Sequence, residues 1–432
     1  MVFRQVALLS VVVVAVMPAK AQTERRMTVD ELFQLVESNS KTLQEQKISV
    51  EFAQKGIEVA RAQRLPDVNA SLSSSYNGNV VVMDRDFTNA RGFSSPHFGN
   101  SFAQEAQQVV YAGGAVDAGI RLAELRRDMA VAGQRLTSNA QRFVALGQYL
   151  DLFKIQNRMQ VYEQNISLTG RLIEDIRAKQ EQGMALRNDV TRYELQMETL
   201  RLGLRRLQDQ QAILNHQLGN TLGLKDVAIL PDTTIVTQVL SREGENYWQQ
   251  TALASSPQVE QSQLSTRMAE QQLRLAKSEL LPKLAVMAAD NFSGPFTYDI
   301  PPIDKNINYW YVGVGLRYNI SSLFKSNKKV RQAETGVLRS QEQQKVVAES
   351  LDNQVQQAWT LYQQTFADLD TQRKSVQLAR LNYQVVSDRY LNQLALITDM
   401  LDASNIRLNA ELQEVDARIN IVYAYYKMKY IS

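Results

Sequence analysis

Between Phe324 and Tyr430 the chain has no proline and a single glycine, Gly336. Gln, Ala, Leu, Glu and Arg predominate there, all tolerated or favoured in helices. Only one stretch in this span can reverse a helix, Tyr390-Leu-Asn-Gln-Leu-Ala-Leu-Ile-Thr-Asp-Met-Leu-Asp-Ala403. A matching reversal, Glu181-Gln-Gly-Met-Ala-Leu-Arg-Asn-Asp-Val190, lies earlier, with Asp189 placed 210 residues before Asp399. The chain therefore contains the same unit twice.

The predicted long helices run from Ala115 to Arg177 and from Lys325 to Tyr390. At 1.5 Å per residue, about sixty-five residues make a rod of roughly 100 Å. Their apolar positions, such as Leu146, Leu150, Phe153 and Val161, are separated by many Gln, Asn and Arg. Such helices cannot fill a conventional core, so they pack laterally on similar helices, which points to an oligomer.

Each unit opens with a shorter pair of helices, one near Met27–Val36 and Lys41–Arg64, the other near Trp248 and Pro257–Leu280. The second helix of each pair stops at a Leu-Pro step, Leu65-Pro66 and Leu281-Pro282, because proline drives the preceding residue out of helical geometry. Between that step and the long helix, each unit reads as two strands joined by a loop. Val68, Ala70, Leu72 and Tyr76 alternate with polar residues, and Trp310, Val312, Val314, Leu316, Tyr318 and Ile320 do so more cleanly. Their partners are expected near Phe102–Tyr111 and Leu284–Phe292, with loops at Asn77–Ser101 and Ser293–Asn308. One apolar face against small and polar residues fits a membrane barrel with a wet interior; a sheet packed on a soluble core gives the same alternation.

The N-terminus carries Arg4, an apolar run from Val6 to Met17 and then Pro18-Ala-Lys-Ala21. This is the charged end, apolar core and small-residue site of an export signal, too short to span a bilayer with ease. The expected organisation is a signal peptide over 1–21, a first repeat over 22–224, a linker over 225–246 and a second repeat over 247–432. The strand pairs fall at 66–112 and 282–320, and the helix hairpins at 115–222 and 325–430.

Composition excludes several functions. With no cysteine there are no disulfides, thiolate metal sites or cysteine nucleophiles. The net charge of +3 does not indicate a nucleic-acid binder. The two histidines, His97 and His216, stand in no catalytic or ligand spacing, and Gly113-Gly114 sits where a strand must turn into a helix. An enzyme is not expected, nor is a cofactor or metal.

An export signal, a duplication, two strand pairs and two very long helix hairpins together resemble the TolC family of outer-membrane efflux and secretion channels, over nearly the whole mature chain. The most specific residues are Thr398-Asp-Met-Leu-Asp-Ala403, Ala185-Leu-Arg-Asn-Asp-Val190 and the Leu-Pro steps at Pro66 and Pro282. The resemblance implies a mainly α fold with a membrane β-barrel. It implies a homotrimer in which each chain gives four strands to one outer-membrane barrel and its helices to a coiled-coil tunnel across the periplasm. A small belt would come from Met27–Glu37 and the linker, with Thr233–Thr237 as a short strand. The implied function is a passive exit duct served by a periplasmic adaptor and an inner-membrane transporter of the RND or ABC type.

The resemblance also implies roles for single residues. Asp399 and Asp402 match the aspartates of a periplasmic constriction, where threefold symmetry would gather six carboxylates able to attract cations. Read from the residues alone, an aspartate in the first turn of a helix is a cap. Tyr390 and Asp189 match a hydrogen-bonded link of the closed state, while Ala395 stands where a second link uses an arginine. Arg187 and Arg389 are the candidates to replace it. The adaptor-contacting tips would be Gly183, Met184 and Ala185 with Leu394 and Ala395; Gln393 replaces the glycine that commonly opens such a turn. The competing reading is a secreted coiled-coil scaffold or filament with no transport role. It needs neither the strand pairs nor the aspartates.

Overall fold

The computed structural model describes residues 23–224, 227–232 and 243–432. The export signal over 1–21 and the belt strand expected at Thr233–Thr237 lie outside the described residues. In chain order the elements are β1 (Thr23–Met27), α1 (Val29–Asn39), α2 (Lys41–Ala62), β2 (Asp67–Tyr76), β3 (Val80–Val82), β4 (Arg91–Phe93), β5 (Phe98–Tyr111) and α3 (Ala115–Glu181). Then come α4 (Arg187–Leu222), β6 (Val227–Pro231), α5 (Glu245–Ser255), α6 (Pro257–Ser278), β7 (Lys283–Gly294), β8 (Ile307–Arg317), α7 (Ser322–Leu391) and α8 (Ile397–Ile431). The two long proline-free segments are single helices of 67 and 70 residues. No described helix is long and apolar enough to cross a membrane.

The Leu-Pro steps act as expected. Past α2, the amide of Leu65 bonds back to the carbonyl of Ala62 at 2.9 Å, and past α6 that of Leu281 bonds to Ser278 at 3.1 Å. Both helices thus tighten into a final turn before the proline admits a strand.

The chain forms two compact units. One gathers Thr42–Asn139 and Glu243–Gln357, and holds an antiparallel sheet of order β2-β5-β7-β8. Register places Val68, Ala106, Ala288 and Val312 in one row across the sheet, and Leu72, Phe102, Phe292 and Asn308 in another. The opposite face carries Asn69, Glu105, Ala289 and Tyr311, then Ser73, Ser101 and Ser293. The alternations read in the two repeats therefore share one mainly apolar face, broken by Gln104 and Asp290 in the row between Ala70 and Trp310. Its edge-strand residues are bare, with Leu72 80 % exposed, Val314 69 % and Leu316 70 %.

Two strand expectations are corrected. The loop expected at Asn77–Ser101 contains a small hairpin, β3 paired with β4, and β5 already begins at Phe98. Tyr318 and Ile320 lie beyond the end of β8, which instead starts earlier, at Ile307. In the linker, the described strand is β6, which pairs in parallel with β1. Its backbone is held by Asn215 of α4, which accepts from the amide of Ile229 and donates to the carbonyl of Val227, both at 2.7 Å.

Of the described residues, the other unit gathers 23–41, 140–224, 227–232 and 358–430. Leu146, Tyr149, Leu150 and Leu152 are fully buried in it. The Tyr149 hydroxyl donates to the Met27 carbonyl at 2.7 Å and accepts from the Asp232 amide at 2.8 Å. Burial pushes that phenol up to about 12, so it stays a neutral donor between β1 and the residue following β6.

Candidate functional site

Both reversals lie in this second unit, and they are built alike. After α3, the amide of Gly183 bonds to the Gln180 carbonyl at 2.9 Å and that of Met184 to Lys179 at 2.8 Å. After α7, Gln393 bonds to Tyr390 at 3.0 Å and Leu394 to Arg389 at 2.8 Å. This pair of bonds closes a helix through one left-handed residue. Gly183 has φ +74°, and Gln393 takes the same conformation at φ +65°. The departure from glycine thus leaves the turn's geometry intact.

An L-residue held left-handed costs about 1 kcal/mol. Gln393→Gly is therefore expected to stabilise the second reversal by about 0.5 to 1 kcal/mol. Slower hydrogen exchange at the amides of Gln393 and Leu394 would show it; unchanged exchange would mean that the strain is relieved elsewhere.

The aspartates act first as caps. Asp189 Oδ2 accepts from the Leu186 amide at 3.1 Å, and Asp399 Oδ2 accepts from the Leu396 amide at 3.0 Å. Each satisfies a free N–H at a helix start whose cap residue is leucine and has no acceptor of its own. Asp402, three residues on, is exposed on α8.

Behind the reversals sits an apolar core of Leu172, Ile173, Ile176, Val190, Tyr193, Met197 and Met400. It draws on α3, α4 and α8, and Tyr383, Val386 and Tyr390 pack against it from α7. Tyr390 is half-buried; burial, and then the charge of Asp189, raise its pKa. The two residues are neighbours without a hydrogen bond between them. At the reversals, a bond across the hairpins comes from Lys179, which sequence reasoning missed. Its Nζ donates to the Leu391 carbonyl at 2.9 Å and lies 5.8 Å from the Tyr390 ring centroid. Arg389 bonds back to Leu394 of its own reversal at 3.4 Å, and Arg187 is exposed. Gly183 and Met184 are exposed, Ala185 and Ala395 are partly buried, and Leu394 is 68 % exposed.

Among the described residues no cluster of His, Asp or Glu is placed to hold a metal ion. His97 stacks on Tyr76 with ring centroids 5.3 Å apart, and His216 bonds to Asn220 one helical turn on.

A sequence profile of the outer membrane efflux protein family matches residues 32–224 and 248–427, covering both repeats. The chain is 20 % identical to the outer membrane efflux protein BepC of Brucella suis over 293 residues. That is 66 % of this chain and 61 % of BepC, so the match spans less than two thirds of that relative. Among solved structures it resembles CusC, with a TM-score of 0.78, 14 % identity and coverage of 94 % of this chain and 92 % of CusC. It also resembles VceC of Vibrio cholerae, with a TM-score of 0.76, 14 % identity and coverage of 93 % and 95 %. At such identity these likenesses speak to the fold, that of TolC-like channels. Since the profile takes in both halves, the chain is a member of the outer membrane efflux protein family, seated in the outer membrane with its long helices in the periplasm.

Proposed function

We propose that three copies of this chain form a passive exit duct for small molecules, the outer-membrane part of a tripartite efflux system. The observation that carries this is the sheet. Four strands are too few to close a barrel, and β2 and β8 are left with unpaired edges. Its bare apolar face needs lipid and its polar face needs water. Pairing β8 of one copy with β2 of the next meets all three needs, and three copies give twelve strands.

Division into two repeats, 22–224 and 247–432 about a linker, supplies each copy with two hairpins for a helical tunnel. The reversals close its periplasmic end in this reading. Asp399 and Asp402 line a constriction, and the nearness of Asp189 to Tyr390 supports a link between the hairpins. Exposed Met184 and Leu394, on firmly capped reversals beside Gly183, Ala185 and Ala395, suit them to receive a periplasmic adaptor that joins the duct to an inner-membrane transporter. BepC, named an efflux protein, favours efflux over protein secretion. No catalytic role is proposed.

The test is extraction in detergent, mass determination by light scattering, and conductance in a planar bilayer. The expected result is a trimer giving small cation-selective openings. A protein that stays soluble without detergent and conducts nothing would support a scaffold instead.

A further inference from the structure

The apolar face of the sheet carries one acid. On the loop side the apolar band ends at the row of Ser74, Asn100 and Gly294, and just inside that lies the row of Leu72, Phe102, Phe292 and Asn308. The next row inward is Ala70, Gln104, Asp290 and Trp310. Two residues of strand advance about 7 Å, or about 5 Å of depth at a tilt near 45°. The strands run from helices in the periplasm to loops on the far side, so Asp290 and Gln104 lie in the outer leaflet, one row below the phenylalanines.

Nothing in the sheet pairs with that carboxylate. Asp290 is partly exposed, while its Oδ1 is buried and has no hydrogen-bond partner among the described residues. The four strands hold only two cations, Lys283 and Arg317, which stand opposite each other at the base of the β7–β8 pair and on the other face. Further copies would bring the same strands and no other cation. An acceptor in hydrocarbon without a donor is costly, and neither the sheet nor bulk water supplies one there, so its partner has to come from the lipid.

There is room for such a partner. A cavity of about 380 Å³ opens on this face. Ala106 and Ala288 stand between Val68 and Val312 in one row, and their small side chains leave a dent bordered on the loop side by Gln104, Asp290, Asn308 and Trp310. The apolar part suits a hydrocarbon chain. The border offers a carboxylate acceptor, an indole N–H and two amides that can both donate and accept. A plain phospholipid acyl chain has no donor at this depth, whereas an amide-linked, hydroxylated acyl chain carries an O–H and an N–H near its polar end.

We propose that Asp290, Gln104 and Trp310 form a binding site for an outer-leaflet lipid of the lipid A class, with hydroxylated, amide-linked acyl chains. One chain lies on Ala106 and Ala288 while its O–H or N–H donates to the Asp290 carboxylate. The proposal rests on the reading of the sheet as part of a membrane barrel, and a trimer would carry three such sites.

The test is native mass spectrometry of the full-length trimer, released from detergent containing either lipid A or a phosphatidylethanolamine of matching chain length without chain hydroxyls. Up to three lipid A molecules per trimer are expected, retained at least tenfold better than the phospholipid, the ratio that one charge-assisted hydrogen bond supplies. Asp290→Leu should lose that preference, and Asp290→Asn should keep part of it. Leucine suits an apolar band, so Asp290→Leu should melt no lower than wild type without added lipid, which separates lost binding from lost folding. Ala288→Phe fills the dent, leaves the carboxylate in place and should also lose lipid A. Glu105→Gln, on the opposite face, should change nothing.

Equal retention of lipid A by wild type and Asp290→Leu, or equal retention of the two lipids by wild type, would overturn the site. A trimer that retains no lipid A refutes the site and leaves the barrel standing. A chain that is monomeric and soluble without detergent removes the barrel and the site with it.

Discussion

Gly113→Val is expected to abolish accumulation of the protein in the outer membrane, whereas Gly114→Ala should only weaken it. Both glycines join β5 to α3 with positive φ, +62° and +83°. Their surroundings differ. A Cβ on Gly113 would lie 2.9 Å from the Ser278 carbonyl oxygen and 2.9 Å from Leu281 Cβ, while one on Gly114 would meet nothing within 4 Å. At Gly114 an alanine pays only the left-handed penalty, about 1 kcal/mol. At Gly113 a valine adds collision with a backbone atom that cannot swing aside, and β-branching makes it worse. Strain and overpacking together come to about 3 kcal/mol or more. The collision lies between strand–helix junctions of the two repeats, so it strikes the sheet at its base. Membrane-fraction yield and melting of the extracted protein measure the effect; a Gly113→Val protein that melts with the wild type would refute it.

These glycines also show what the sequence made legible. Gly113-Gly114 could be read as a strand-to-helix turn because few other residues reach positive φ readily. The second repeat solves the same junction without glycine, through a turn in which the Ser322 amide bonds to Asn319 at 2.8 Å. The long helices were legible through the absence of proline, and the Leu-Pro steps through proline's steric demand. Helix boundaries were reached within a few residues wherever such a local cause existed.

What depended on distant partners was not legible. The strand β6 pairs with β1, whose sequence Thr-Glu-Arg-Arg-Met has no apolar alternation, and the two lie some two hundred residues apart. Periodicity carries no signal for such a pair. The β3–β4 hairpin has strands of three residues inside a segment rich in Asn, Asp and Gly, where turn chemistry hides short pairing. Lys179 looks like one more cation on a polar helix. Its importance comes from the helix that faces it, and one sequence does not say which face that is. The place of Asp399 in the first turn of a helix did permit the capping reading. The residues alone favoured the cap, and it was the family resemblance that set charge against it at Asp402.

Those two claims can be separated by one substitution, because asparagine keeps an acceptor oxygen and loses the charge. Asp399→Asn/Asp402→Asn is expected to weaken block by a trivalent cation such as hexaamminecobalt at least tenfold, about 1.4 kcal/mol, and to enlarge the openings. In bulk-water dielectric a trivalent ion about 6 Å from one carboxylate gains about 2 kcal/mol, so a tenfold loss is modest for six such charges even after screening. The Leu396 amide retains its partner, so melting should not move. Asp399→Ala removes the cap as well and should cost about 1 kcal/mol of stability at the start of α8. Asp189→Asn makes the same chemical change at the first reversal. If the constriction is formed by the second reversal, block should survive there while falling at Asp399 and Asp402. Equal loss of block at both reversals would spread the cation site over both hairpins, and block unchanged in every variant would leave the aspartates as caps alone.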